Sequence, residues 1–199
     1  MRVTSSRIHL LTLILSGSLW VSCHGSLDKE DYISWVRNYS NGLHVNQQVG
    51  EFAFDVQYQP SDYLWLQKMT TENSEKQQEK NAPSQEIQYY VLTVGLTSKN
   101  ADFINYGVND LPGKQRKLYY FSYQFQNDIK LEEGGRQVPC ALYHFEKPVD
   151  LRGTRTFLLG FERPDKNAQE SILIIESEQF GSLPVKIKMS KANIPNLKL

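Results

Sequence analysis

Along the chain the dominant period of apolar and polar side chains is two. That period marks strands with one face buried, because successive side chains on a strand point to opposite faces. Phe52, Phe54, Val56 and Tyr58 alternate with Glu51, Ala53, Asp55 and Gln57, and Pro60, which has no N–H to give a ladder, ends the run. Gly42 to Val49 is predicted to pair with this strand through Gly50-Glu51. Ile87 to Thr97 is nearly continuous in apolar, β-branched and aromatic residues, the pattern of a strand near a sheet centre. After a turn at Asn109 to Gly113, Tyr119, Phe121, Tyr123 and Phe125 alternate with Tyr120, Ser122, Gln124 and Gln126 and predict another strand. Further strands are predicted at Ile129–Leu131, Val138–Phe145, Thr154–Phe161, Ser171–Glu176 and Leu183–Met189. Turn signals at Glu133-Gly134-Gly135, Pro148–Gly153, Arg163–Asn167 and Phe180-Gly181 separate them. The expected fold is all-β, an antiparallel sandwich of about seven or eight strands with one or two short helices.

Three segments break the period. Asp31 to Asn38 spaces Ile33, Trp35 and Val36 as a short helix would, and Ser61 to Met69 opens on Ser61-Asp62, residues suited to a helix cap. Thr70 to Glu86 holds Glu, Lys, Gln, Asn and Ser but no large apolar side chain, so it cannot bury enough surface to offset the entropy of ordering. A polar insertion, either a mobile loop or a solvated helical extension, is expected at 70–86.

The first residues follow another pattern. Arg2 and Arg7 precede an apolar stretch from Ile8 to Val21, with small residues from Ser16 to Ser22 and then Cys23. The stretch is interrupted by His9, Thr12, Ser16, Gly17 and Ser18, and is shorter than the roughly 20 apolar residues of a membrane span. A positive segment, an apolar segment and small residues in that order describe an export signal. With Leu19, Ser22 and Cys23 it resembles the signal peptide of bacterial lipoproteins, in which the cysteine becomes the acylated first residue. The acidic cluster Asp28-Lys29-Glu30-Asp31, and the absence of Asp after Cys23, resemble outer-membrane lipoproteins of Bacteroidota. The resemblance implies a signal at 1–22, a lipidated tether at 23–31 and a single β-rich domain at 32–199.

Charge and cysteine usage narrow the partners. Basic and acidic residues balance at 22 each, and removal of 1–22 takes away Arg2 and Arg7 and leaves a small acidic excess. The densest basic stretch, Lys114-Gln115-Arg116-Lys117, is too short for a nucleic-acid footprint, so no nucleic-acid partner is expected. The chain has two cysteines, and acylation of Cys23 leaves Cys140 without a disulfide partner. Cys140, between Pro139 and Ala141, is expected to be a small buried side chain.

Candidate chemistry is sparse. Cys140 and His144 are four residues apart, but on one strand that is about 13 Å, beyond the reach of a nucleophile–base pair. His24, His44 and His144 form no metal-ligand spacing with Asp or Glu, and His144 is expected to be a partly buried sheet residue. Glu132-Glu133 beside Gly134-Gly135 is expected to be a charged hairpin tip. The ladder Tyr119, Phe121, Tyr123 and Phe125 is expected to be core, with exposure on the sheet as a binding surface for sugar or protein the functional alternative. The functional expectation is therefore a non-enzymatic interaction or assembly module, an accessory of a secretion or surface machine being one form of it. It would be anchored in the outer membrane by lipid on Cys23, with no other cofactor and no metal. Other envelope proteins are the expected partners, and a glycan- or small-ligand-binding surface lipoprotein is the alternative.

Overall fold

Alternation becomes a core when two sheets turn their apolar faces together, and the computed structural model, which describes residues 25–71, 86–98, 102–146 and 153–198, has this arrangement. The larger sheet is built from β2 (His44–Val49), β3 (Phe52–Gln59), β4 (Ile87–Leu96), β7 (Leu142–Phe145) and β8 (Arg155–Glu162), ordered β2-β3-β4-β8-β7. The smaller is built from β5 (Ile129–Glu133), β6 (Arg136–Pro139), β9 (Glu170–Ile175) and β10 (Val185–Ser190), ordered β10-β9-β5-β6. All neighbours in both sheets are antiparallel. Between them lie Phe54, Val56, Leu92, Val94, Phe157 and Leu159 from one sheet and Leu131, Leu173, Ile175 and Ile187 from the other, all buried. The expected sandwich is the observed fold.

The opening hairpin forms as expected, with Val49 opposite Phe52 across Gly50-Glu51 and Gly50 at φ +57°. β4 takes the central place that its apolar run implied, and Gly134 and Gly135, both at positive φ, close the β5–β6 hairpin. Two helices flank the sandwich: α1 (Lys29–Arg37) and α2 (Ser61–Thr71). α1 buries Tyr32 and Val36, with Ile33 and Trp35 partly covered; α2 buries Tyr63 and Leu66 and runs two residues beyond the expected Met69. Arg37 Nε donates to Tyr63 Oη at 2.8 Å and joins the helices.

Residues 26–31 are structured: β1 (Ser26–Leu27) pairs in parallel with β11 (Asn196–Leu197), and Asp28 caps α1 by accepting from Asp31 N at 3.0 Å. Two expectations about elements are corrected. Val138 to Phe145 is not one strand. Cys140 N donates to Ile129 O in the small sheet and Ala141 N to Gly160 O in the large one, so the chain changes sheets directly after Pro139. The strand predicted over 119–126 is helical, and the turn predicted at 109–113 leads into that helix at Leu111: α3 (Leu111–Tyr119) continues as a wide π turn at Tyr120–Gln124 and a 3-10 turn at Phe125–Asp128. The segment 1–22 expected to be a signal, Cys23, His24 and most of the segment 70–86 lie outside the described residues.

A cleft between the helical insertion and the sheet edge

Residues 111–128 start as a helix because Asp110 accepts from Gly113 N at 3.0 Å and Pro112, which has no N–H to satisfy, falls in the first turn. Side chains four apart then share a face, which divides the aromatic ladder into two pairs. Phe121 and Phe125 are fully buried, 5.2 Å apart, among Phe103, Phe157 and Phe180. Tyr119 and Tyr123 face outward at 57% and 70% exposure, with ring centroids 5.2 Å apart. The four residues do not form one surface: two seal the sandwich, and of the two exposed rings Tyr123 lines a cleft.

That cleft has a volume of about 860 Å³ and separates the helical insertion from the edge of the large sheet. Its helical wall carries Leu111, Lys114, Leu118 and Tyr123, and its strand wall carries Tyr143, His144 and Phe145. Arg155 forms an ion pair with Asp102 at the cleft, which neutralises both charges, and Asp102 also accepts from Ile104 N at 3.1 Å. Tyr143 Oη donates to Phe121 O and holds the two walls in place. Leu111 and Leu118, 68% and 47% exposed, add apolar surface that the sandwich core does not use. The i, i+3, i+4, i+7 spacing of Leu111, Lys114, Gln115 and Leu118 behind Asp110 and Pro112 was the available sequence signal for this wall.

The other candidates fall elsewhere. His144 is exposed, contrary to its expected partial burial, because it shares the outer face of β7 with Leu142 and Glu146. Cys140 is buried, its thiol donates to Leu142 O at 3.1 Å, and burial raises its pKa to about 11. Buried thiol and outer-face imidazole are not brought together. His44 stacks on Tyr39 at 3.8 Å, and its ring nitrogens lie 2.7 Å from Asp55 Oδ1 and 2.9 Å from Arg37 O.

Glu133 is not the exposed hairpin tip it was expected to be. It alternates with Ile129 and Leu131 and therefore points between the sheets, where Lys191 meets its carboxylate. Gln88 Nε2 donates to Glu133 Oε2 at 2.9 Å, and Tyr90 Oη lies within hydrogen-bond distance of Gln88 Oε1 and Ser171 Oγ, at 3.1 and 3.2 Å. This cluster joins the two sheets through buried polar groups, and its members are occupied with one another.

Among the described residues no group of three or more His, Cys, Asp or Glu side chains could hold a metal ion, and no helix is long and apolar enough to cross a membrane. No family model, curated protein or solved structure matches the chain.

Proposed function

We propose that this protein is a lipid-anchored outer-membrane protein of a bacterial cell envelope, and that its sandwich is a non-enzymatic interaction module, an accessory of a secretion or surface machine. The observation that carries the docking part is the cleft: about 860 Å³, with Leu111, Leu118 and Tyr123 held open to solvent on one wall. Apolar side chains kept exposed on a rigid scaffold are the raw material of a protein interface. The anchoring part rests on Arg2, Arg7, the apolar stretch and Cys23. Gly25 already lies next to β1, so a lipid on Cys23 would hold the β1–β11 end within about 10 Å of the bilayer surface.

The test has two arms. Cys23→Ser should abolish metabolic labelling with a palmitate analogue and release the chain from the membrane fraction; an unlabelled wild type would overturn the anchor. Native purification from membranes should recover one envelope complex with the wild type and lose it with Leu118→Asp; unchanged recovery would overturn docking at the cleft. The exposed Tyr119–Tyr123 pair favours a second reading, in which the rings stack on a glycan. Retention on glycan arrays without any co-purifying protein would support that reading instead.

A further inference from the structure

Among the described residues the strand wall of the cleft is an open sheet edge. β7 is the last strand of the large sheet, with Leu142 opposite Gly160, His144 opposite Leu158 and Phe145 opposite Phe157. Glu146 N donates to Thr156 O at 3.0 Å, which fixes the hydrogen-bonded pairs of this ladder at Leu142, His144 and Glu146. The N–H and C=O groups of Tyr143 and Phe145 therefore point away from β8. Both residues line the cleft. They present two donors and two acceptors about 7 Å apart along the edge, the repeat of an extended chain.

The other edges are blunted in ways that β7 is not. β6 carries Arg136 and Pro139, β10 carries Lys186 and Lys188, and the β2 side is tied to β10 where Ser190 N donates to Gly42 O at 3.0 Å. Charge, proline and cover are the usual protections of an edge against pairing with another chain. Leu142 to Phe145 has no Lys, Arg, Asp or Glu and no proline, Glu146 is the first charged residue after it, and the helical insertion meets it through the Tyr143–Phe121 bond beside the cleft.

We infer that β7 takes an extended peptide segment of a partner protein as an added strand, clamped between the β7 edge and α3. This rests on reading the cleft as a protein-docking site and specifies how the docking occurs. Main-chain bonds to Tyr143 and Phe145 hold the segment, as in other cases of strand addition to a sheet edge. Tyr143 and Phe145 turn their side chains inward, so every second residue of the added strand faces the helical wall, and apolar residues there cover Leu111, Leu118 and Tyr123. Charge sets a further requirement. Asp102 and Arg155 neutralise each other, whereas Lys114 forms no ion pair among the described residues, so the segment carries an acidic side chain opposite Lys114.

A random nonapeptide display library panned on the full chain in detergent tests this. Enriched sequences should alternate apolar residues and carry Asp or Glu, and a synthetic copy should perturb the amide resonances of Tyr143 and Phe145. N-methylation of the peptide amides that face β7 should weaken binding at least about tenfold, and methylation of the intervening amides should leave it within about twofold. Lys114→Glu should reverse the preference to a peptide in which Lys replaces the acidic residue. Absence of enrichment over blank resin, equal effects of the two methylation patterns, or binding without shifts at Tyr143 and Phe145 would overturn strand addition. If Leu118→Asp still abolishes recovery of the envelope complex, protein docking at the cleft survives that failure and the partner presents another structure, such as a helix.

Discussion

Glu133 and Lys191, 58 positions apart in the chain, form an ion pair inside the sandwich, with side-chain exposures of 0% and 7%. Lys191 Nζ also donates to Gln88 Oε1 at 3.0 Å and lies 5.2 Å from the centre of the Tyr58 ring. Burial pulls the Lys191 pKa below its ordinary value, against the opposing effect of Glu133.

Removing one partner leaves the other charge buried without compensation. Glu133→Gln or Lys191→Met should each cost about 3–5 kcal/mol. The double variant Glu133→Leu/Lys191→Met should cost less than either single change, because it removes both desolvation penalties. Urea unfolding midpoints check this, and additive losses would show that the pair is not coupled.

The Tyr39–His44–Asp55 group gives the fold a pH dependence. Burial lowers the His44 pKa, but the hydrogen bond to Asp55 and the bond to Arg37 O outweigh it and hold the imidazole above its ordinary 6.5. For Asp55, burial works upward, and the bonds from His44 and Tyr39 outweigh it and hold the carboxyl below 3.8. A raised His pKa stabilises fully below 6.5 and loses its effect as pH rises through the folded value. A lowered Asp pKa stabilises above 3.8 and loses its effect as pH falls. His44→Phe keeps a ring against Tyr39 but removes both bonds, so its stability deficit should be widest between about pH 4 and 6.5 and should narrow above that. A deficit independent of pH in thermal melts would contradict the protonated pair.

The aromatic residues of the helical insertion should divide sharply by substitution. Phe121→Ala and Phe125→Ala each empty a fully buried site and should cost about 3–5 kcal/mol. Tyr119→Ala and Tyr123→Ala remove exposed rings and should stay within about 0.5 kcal/mol of the wild type in the same denaturation assay. A strand in this segment would make all four alike.

Burial of Cys140 should make its thiol inert in the native state. With a pKa near 11, about one thiol in a thousand is ionised at pH 8, and the sulfur is covered. In a Cys23→Ser background an aromatic disulfide reagent should label Cys140 far faster in denaturant than in buffer. Equal rates would place the thiol at the surface.

Much of the sandwich was legible because period-two alternation and turn residues agreed, as at Phe52–Tyr58, Pro60 and Gly134-Gly135. The segment 119–126 misled because residues two apart and four apart coincide: Tyr119/Tyr123 and Phe121/Phe125 satisfy a strand and a helix alike, and Asp110 with Pro112 decides the matter. Glu133 looked exposed beside two glycines because its partner Lys191 comes from the far end of the chain. The cleft was invisible for the same reason, since its walls are separate segments that meet only after the chain changes sheets at Cys140-Ala141.

Site-specific photo-cross-linking in cells of the native host tests the docking of an anchored module most directly. A photoreactive residue in place of Tyr123, on the cleft rim, should yield one discrete adduct with an envelope protein identified by mass spectrometry, and Cys23→Ser should abolish it. The same residue in place of Leu183, 80% exposed and away from the cleft, should yield none. Adducts that are absent at Tyr123, or equal at the two positions, would contradict a cleft built to hold a partner.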